Sequence, residues 1–359
     1  MNSHVIPMNE MRGPYVRTGY EAVVASRSDV KYVVTAEEDG VVTLATDNKL
    51  SVEYKTLGKK SYSLAEWTSK EEAGTTFPHK QIPNVKKGSK FKKGASLAYD
   101  KSFYEPDIFD KTRVIYKAGT TLNIALMETP ETFEDSGAIY SKTASRLGTT
   151  VIKTKSIRLT NTDKILDVLR AGDHVEPKTP MLSVLDAITS SVSDTLDKRS
   201  LEILKDLKML SPKAGYRGDV IRLQVYYNCE FKSLSPSIKK LVLDTDKELT
   251  AKDGHTGEVD SGYSIDGVPM AENELEIKYY IKTTEDHGVA DKAVLANQLK
   301  FTVGEIYSDP IYTEDGAIVE AKFSTRSIAA RIVNSPGLLG TTSSLLEALT
   351  TQVTDEYFK

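Results

Sequence analysis

Apolar and polar residues alternate most regularly between residues 275 and 282. Every second side chain is apolar there, and these side chains are Leu275, Ile277, Tyr279 and Ile281. A period of two predicts a strand with one buried face and one wet face. The loop over residues 284–292 follows this strand and gathers acids, a histidine, a glycine and a lysine. Because loops at strand ends often carry functional groups, this loop is a candidate site.

Turn residues separate other short apolar runs into predicted hairpins. They predict a β-meander over residues 32–54 and a hairpin between residues 311–312 and 318–319. Helical periodicity or a capping signal marks three further segments, which are residues 194–210, a helix that opens at Ser235-Pro236 and a short helix over residues 343–349 with Ser343 or Ser344 as its N-cap. The predicted fold class is therefore mixed α+β and rich in β-structure.

Composition excludes several classes of protein. The 359 residues are 27% charged with a formal net charge of −4, so the chain does not coat DNA through an overall positive charge. Cys229 is the only cysteine, which excludes an internal disulfide and a thiolate zinc cluster and fits a reducing compartment. No apolar run approaches the length of a membrane span, and the start lacks a signal-peptide pattern. We expect an intracellular protein without a membrane contact.

Carboxylates concentrate between residues 128 and 135. Four of them lie within eight residues, between an apolar strand over residues 122–127 and a second apolar strand. Carboxylates this close repel one another unless some face water or a cation. Glu134 and Asp135 therefore form either a solvated turn or part of a cation site.

Five lysines surround two glycine turns between residues 85 and 98, and they are Lys86, Lys87, Lys90, Lys92 and Lys93. They predict either an edge that contacts phosphates or a hairpin whose lysines protect an exposed strand. The spacing of a glycine and two later apolar residues recurs once, as Gly88, Phe91 and Leu97 and as Gly172, Val175 and Met181. This repeat predicts two barrel-like modules.

Further basic groups flank the predicted hairpin and the loop before it. Lys292 ends the loop, and Arg331 follows the hairpin. His287 is either a structural turn residue or a partly charged hydrogen-bond donor near neutral pH.

In their order these segments resemble the active-site region of the second-largest (β) subunit of multisubunit RNA polymerases. The most specific match is Phe133-Glu134-Asp135, followed by Ile139 and Ser141, which is similar to the family's Asn-Phe-Glu-Asp-Ala/Ser-Ile. The shared order carries the resemblance more than any one motif does. The other matching segments are residues 4–7, 15–21, 38–42, 85–98, 169–182, 215–223, 291–295, 310–320 and 330–334.

The resemblance covers nearly the whole chain but only the central part of a family β subunit. It implies a double-psi β-barrel with an inserted flap or wall and small β modules. The implied domains are a β-meander or hybrid-barrel region over residues 1–109, the first part of the barrel over 110–190, a flap-like insertion over 191–274, the second, active-site part of the barrel over 275–335, and a C-terminal helix or tail over 336–359 that contacts other subunits.

In that family the barrel faces the β′ barrel, whose three aspartates hold the catalytic magnesium. This sequence has no Asp-x-Asp-x-Asp string, so the resemblance implies that the main Mg²⁺ ligands belong to another chain. It implies Glu134 and Asp135 near the second Mg²⁺, with Asp135 as a direct or indirect ligand. Arg331 would contact the incoming triphosphate, Lys292 would contact RNA or nucleotide phosphate, and His287 would stand in place of a family lysine. The five lysines would contact nucleic acid.

The resemblance also implies a split β subunit, as in the RNA polymerases of giant tailed bacteriophages, which transcribes phage genes. The implied partners are an amino-terminal β fragment, β′ fragments, template DNA and RNA, with a carboxy-terminal β fragment and a promoter-specificity subunit as further candidates. The location would be the cytoplasm of the infected host, the phage nucleus or the virion. Two other classes stay open, which are a catalytically inert nucleic-acid-binding or assembly protein that kept the fold and a carrier domain modified on lysine.

Overall fold

The computed structural model describes residues 6–70, 74–185, 211–248, 256–260, 262–295, 299–330 and 334–357. Strands contain 41% of the residues and helices contain 20%, so the predicted β-rich, mixed α+β class is confirmed. No helix within these ranges is both long and apolar enough to span a membrane. The predicted helix over residues 194–210 lies outside the described residues.

The strands follow one another along the chain as β1 (Val33–Thr35), β2 (Gly40–Ala45), β3 (Lys49–Tyr54), β4 (Gly58–Ser63), β5 (Trp67–Lys70), β6 (Thr76–His79), β7 (Gln81–Pro83), β8 (Lys90–Phe91), β9 (Ser96–Asp100), β10 (Tyr104–Pro106), β11 (Val114–Tyr116), β12 (Ile124–Leu126), β13 (Ser136–Tyr140), β14 (Thr149–Thr160), β15 (Lys164–Val168), β16 (His174–Val175), β17 (Leu182–Leu185), β18 (Gly218–Tyr227), β19 (Gly257–Glu258), β20 (Ser264–Ile265), β21 (Val268–Pro269), β22 (Glu274–Glu285), β23 (Lys292–Leu295), β24 (Leu299–Tyr307), β25 (Ile311–Tyr312), β26 (Ile318–Val319) and β27 (Ala321–Phe323). The helices are α1 (Tyr20–Arg27), α2 (Ser141–Arg146), α3 (Pro236–Glu248), α4 (Thr325–Ala330) and α5 (Ser335–Tyr357), with 3-10 turns at Pro130–Thr132 and Phe231–Ser233.

The chain divides into two compact units. The first unit comprises Met1–Ser69, Pro78–Thr150 and Glu285–Lys359, and the second comprises Lys70–Phe77 and Val151–Thr284. The longer segment of the second unit, Val151–Thr284, contains the predicted insertion over residues 191–274, whose assignment as a flap stays a prediction.

A mixed five-stranded sheet lies in the first unit, in the order β12-β27-β13-β24-β23. The pairs β12/β27 and β13/β24 are parallel, whereas β13/β27 and β23/β24 are antiparallel. Ile139, Val303 and Phe323 are buried in the core beneath this sheet. Neither this sheet nor any other closes into a barrel within the described residues.

Two smaller sheets of the first unit contain the predicted meander. Strands β4-β3-β2-β8 form one sheet, and β1-β9-β7 form the other. Leu50, Val52 and Leu97 have no exposed surface in the core between these strands. The predicted hairpin is also confirmed, because Ile311 pairs with Val319 and Tyr312 pairs with Ile318.

The main sheet of the second unit contains the strongly alternating strand β22. Its strands run in the order β16-β18-β22-β14-β6, and the four predicted core side chains of β22 have no exposed surface. Helix α3 begins where Ser235-Pro236 predicts it and contributes Ile238, Leu241 and Val242 to the same core. The predicted wet face of β22 is wrong at Glu276, which is 1% exposed and accepts a hydrogen bond from Arg158 Nε at 2.9 Å.

The long helix α5 replaces the short helix predicted over residues 343–349. It begins at Ser335, and Pro336 suits its first turn because a proline lacks the N–H that would have no partner there. Ser343 and Ser344 lie inside the helix, so the N-cap predicted at either residue is wrong.

Candidate active site

Predicted site residues lie on both sides of Thr302, which belongs to β24. It pairs with Ser136 of β13 on one side and with Lys292 of β23 on the other. Its backbone N–H also donates to the carbonyl of Asp135 at 2.9 Å. Adjacent strands lie about 4.8 Å apart, so the backbones of Asp135 and Lys292 are separated by roughly 10 Å. Both residues are exposed.

The turn that carries Glu134 is held in a left-handed conformation. Glu134 has a φ of 54°, which a non-glycine residue adopts only at a cost of about 1 kcal/mol or more. The buried Thr132 closes the preceding turn, because its hydroxyl donates to the carbonyl of Met127 at 2.8 Å. The hydroxyl of Ser327 in α4 donates to the carbonyl of Glu134. Backbone strain held in this way is typical of functional sites.

Glu128 fixes the start of helix α4 beside this turn. Its Oε1 accepts hydrogen bonds from Ser324 Oγ at 2.9 Å, Thr325 Oγ1 at 2.7 Å and the Arg326 N–H at 2.9 Å. The Thr325 hydroxyl, followed by the Arg326 N–H, lowers the pKa of Glu128 below 4.5, so the group is a carboxylate at neutral pH. Arg331 directly follows α4 in sequence and lies outside the described residues.

The role of Glu128 was not predicted, although two local signals in the sequence point to it. Ser324 directly precedes α4 and Thr325 is its first residue, so both are of a type that caps helices, and Glu128 directly follows the apolar run that contains β12. What the sequence lacks is any sign that these segments meet in space.

His287 lies in a loop that is hydrogen-bonded to β24. The N–H of Ala290 donates to Val303 at 2.8 Å, and the N–H of Val303 donates to Asp291 at 2.9 Å. Burial lowers the pKa of His287 below 6.5, and the opposing effect of Asp291, 3.8 Å from Nδ1, is smaller. The imidazole is therefore predominantly neutral at pH 7, in contrast to the partly charged donor considered from the sequence. Its Nε2 is buried and has no hydrogen-bond partner among the described residues.

Apolar side chains are exposed on the sheet that carries Lys292 and beside the acids in sequence. Phe133 is 69% exposed, Leu126 is 49% exposed and Val294 is 52% exposed. Val294 and Lys292 share one face of β23 because alternate residues of a strand point the same way. Exposed apolar groups clustered around polar ones are typical of a surface that another molecule covers.

The acids alone do not form a complete metal site. Among the residues that the structure describes, no group of three or more His, Cys, Asp or Glu side chains is placed to hold a metal ion. Mg²⁺ takes six oxygen ligands, of which protein carboxylates often supply one or two. Glu134 and Asp135 fit that smaller contribution because both are exposed and adjacent.

The five lysines lie on a different sheet of the first unit. All five are exposed, and they flank or belong to β8, an edge strand of the order β4-β3-β2-β8. Asp39 lies beside this group and accepts hydrogen bonds from the Lys93 N–H and from Lys55 Nζ, each at 3.0 Å. The position fits both predicted roles, a phosphate contact and protection of an exposed edge.

The structure thus places Glu134 and Asp135 on one side of Thr302 and Lys292 on the other within one sheet, next to the helix that directly precedes Arg331 in sequence. His287 lies in a loop attached to the same sheet. No protein-family model matches the sequence. An assignment of function therefore depends on this geometry and on the order of the motifs.

Proposed function

We propose that this chain is a β-type subunit of a multisubunit DNA-dependent RNA polymerase and that it lines one side of the nucleotidyl-transfer site. The observation that carries the proposal is that Asp135, directly before β13, and Lys292, at the start of β23, lie on the two sides of Thr302. These residues come from segments more than a hundred positions apart in sequence, and the resemblance assigns both to the same site. The exposed apolar side chains of the same sheet support a site that a second polypeptide completes.

Each side chain has a role that follows from its charge. The Lys292 ammonium attracts a phosphate of the RNA or of the incoming nucleotide, and the guanidinium of Arg331 forms paired hydrogen bonds with the triphosphate. His287, being predominantly neutral, acts as a hydrogen-bond donor or acceptor and contributes little positive charge. Glu134 and Asp135 place negative charge where a cation is needed.

The cofactor of the proposed reaction is Mg²⁺, which when bound neutralises the charge that develops on the phosphates. Asp135, with Glu134 beside it, would supply oxygen ligands for the second ion directly or through water. The principal ligands belong to the β′ partner in this proposal. The role of the chain's own residues is to hold and orient the nucleotide.

The proposal includes the double-psi β-barrel as the scaffold. The parallel pairs β12/β27 and β13/β24, drawn from the two halves of the predicted barrel, are compatible with it. It also includes the split β architecture, the other β and β′ fragments as partners, and a bacteriophage enzyme that uses a DNA template. The five lysines contact the nucleic-acid backbone in this arrangement.

The test compares variants in the assembled polymerase, purified with its partner chains. Lys292→Ala and Asp135→Asn should each slow extension of a primed RNA on the order of a hundredfold, because a preorganised charge at the reacting phosphates is lost. Binding of the template should stay within about twofold, because neither residue supplies most of the phosphate contacts.

Lys300→Ala and Asp309→Asn are the matched controls. Both residues are exposed in the same unit, and Lys300 lies on the neighbouring strand β24. Extension by the control variants should equal that of the wild type. If Lys292→Ala and Asp135→Asn also extend RNA at the wild-type rate, the catalytically inert nucleic-acid-binding or assembly protein replaces the polymerase subunit.

A further inference from the structure

Three polar side chains of the first unit form one hydrogen-bonded chain. Ser69 Oγ lies 2.7 Å from His79 Nε2, and His79 Nδ1 lies 2.7 Å from Asp100 Oδ2. The three residues belong to β5, β6 and β9. Neither the resemblance nor the proposed transcription function uses them. A serine, a histidine and an acid joined in this order are the arrangement that activates a serine as a nucleophile, and it is recognised by geometry and not by position in the sequence.

The acid fixes the direction of both hydrogen bonds. Asp100 Oδ1 accepts a hydrogen bond from the Ser102 N–H at 2.9 Å, and Oδ2 faces the imidazole. A carboxylate can only accept hydrogen bonds, so His79 Nδ1 donates to it. In the neutral imidazole Nε2 then carries no hydrogen and accepts the proton of the Ser69 hydroxyl. This is the tautomer that a general base beside a serine needs.

Aromatic rings hold the imidazole in this orientation. It stacks on Trp67 with 4.2 Å between the ring centroids and on Phe103 with 5.8 Å. Trp67 lies two positions before Ser69 on β5, so both side chains point to the same side of the strand. Because Trp67 and Phe103 are only half-buried, they also offer apolar surface near the serine.

Burial decreases from the acid to the serine. Asp100 has no exposed surface, and His79 is 2% exposed. Ser69 is half-buried. The acid and the base are therefore kept away from water, and the serine is the end of the chain that a small molecule can reach.

We propose that Ser69 is a nucleophile that accepts an acyl group from an ester with a short apolar acyl chain. As Ser69 Oγ bonds to the carbonyl carbon of the ester, its proton passes to His79 Nε2. The imidazolium returns this proton to the departing alkoxide when the bond from that carbon to the alcohol oxygen breaks. The products are an acyl ester of Ser69 and a free alcohol.

The class of donor follows from the surroundings of the serine. Trp67 and Phe103 provide apolar surface that fits an apolar acyl chain. Asp100 holds the imidazole and does not touch the donor, so it is a positioning residue. This inference does not depend on the polymerase function.

The test incubates the full-length chain with p-nitrophenyl butyrate and locates butyryl groups by mass spectrometry of the digested protein. The wild type should release p-nitrophenol and carry a butyryl group on Ser69. Ser69→Ala should lose the p-nitrophenol released with that group. His79→Asn should slow acylation of Ser69 by about a hundredfold or more, because the general base is lost. Its amide can still donate a hydrogen bond to Asp100, and a urea titration checks that this variant is folded.

Ser51 is the matched control within the same unit. It is also a half-buried serine on a strand, but its hydroxyl bonds to Ser61 Oγ at 2.8 Å and not to an imidazole. Ser51→Ala should leave acylation of Ser69 unchanged. The proposal is overturned if the wild type carries no butyryl group on Ser69, if Ser51 and Ser69 are acylated equally, or if folded His79→Asn reacts at the wild-type rate. The comparison of Ser69 with Ser51 is made within the wild-type chain, so it decides the question even if His79→Asn unfolds.

Discussion

At the residue scale, His79 shows how one buried side chain can hold several others in the first unit. Its Nδ1 lies 2.7 Å from Asp100 Oδ2, and its Nε2 lies 2.7 Å from Ser69 Oγ. The ring stacks on Trp67 with 4.2 Å between centroids. Because His79 is 2% exposed and Asp100 has no exposed surface, the imidazole compensates Oδ2 of an acid that is removed from water, while Oδ1 accepts a hydrogen bond from the Ser102 N–H at 2.9 Å.

His79→Ala should lower the free energy of unfolding by about 3–5 kcal/mol, because Asp100 would stay buried without its charged or hydrogen-bonding partner. Ser69→Ala, the control at the other end of the same hydrogen-bonded chain, should cost about 1 kcal/mol because Ser69 is only half-buried. Urea titrations at pH 7 measure both values. Equal losses in the two variants would show that Asp100 does not depend on His79.

These residues also show where prediction from the sequence ends. Glu134 and Asp135 could be selected because their signal is local, a concentration of acids between two apolar strands. Ser69, His79 and Asp100 lie on three different strands, and nothing near any of them in sequence indicates that they meet. Glu128 and Ser324, whose hydrogen bond spans 196 positions, present the same difficulty.

At the scale of elements, local spacing was a better guide. The repeated glycine frame corresponds to a repeated structure, in which Gly88 and Gly172 both have a positive φ and each precedes a two-residue strand. The apolar residues at matching offsets are buried in both copies, and they are Phe91 with Leu97 and Val175 with Met181. Only glycine adopts such a φ readily, which is why this part of the pattern could be predicted. The barrel-like character of the two copies stays a prediction.

Helix α4 directly precedes Arg331 in sequence, and Glu128 is the residue that caps this helix. Glu128→Ala should make hydrogen exchange over residues 325–330 roughly threefold to tenfold faster, because three hydrogen bonds to the first turn are lost. Glu131→Ala, which removes a nearby acid that does not cap α4, should leave the exchange of α4 unchanged. The same exchange rate in both variants would exclude Glu128 as the cap.

The capping contribution of Glu128 also has a defined pH dependence. Folding lowers its pKa below 4.5, so the stabilisation is fully present above the unfolded pKa and is lost as the pH falls through the folded pKa. Wild-type α4 should therefore approach the exchange behaviour of Glu128→Ala in acid, after correction for intrinsic rates. A difference between the two proteins that stays constant until the protein's carboxyl groups are fully protonated would contradict this assignment.

At the scale of the whole molecule, the second unit is formed by two separate segments of the chain. Its longer segment, Val151–Thr284, begins in β14 and ends in β22, and these strands are neighbours in its sheet. Periodicity identifies each strand by itself, whereas their pairing depends on contacts between residues more than a hundred positions apart. The bounds of this unit therefore could not be predicted from the spacing of apolar residues alone.

Charge is the other property of the whole molecule that bears on function. The formal net charge is −4, so binding to a nucleic acid has to arise from a local concentration of positive groups. Lys232 and Lys240 are exposed lysines of the second unit, which makes them a control for the five lysines near β8. Replacing a lysine with glutamine lowers the net charge of the protein by one in either group. Only a local contact between a lysine and the nucleic acid can therefore make the two variants bind differently.

Lys86→Gln with Lys87→Gln should therefore reduce the salt dependence of binding to a labelled RNA–DNA duplex, and Lys232→Gln with Lys240→Gln should not. The slope of log K against log salt concentration should fall by about 0.9 for each lysine that contacts a phosphate, because fewer counterions are released. Anisotropy titrations between low and moderate salt measure the slope. If both variants keep the wild-type slope, the lysines protect the edge strand β8 and do not contact the nucleic acid, since edge protection involves no release of counterions.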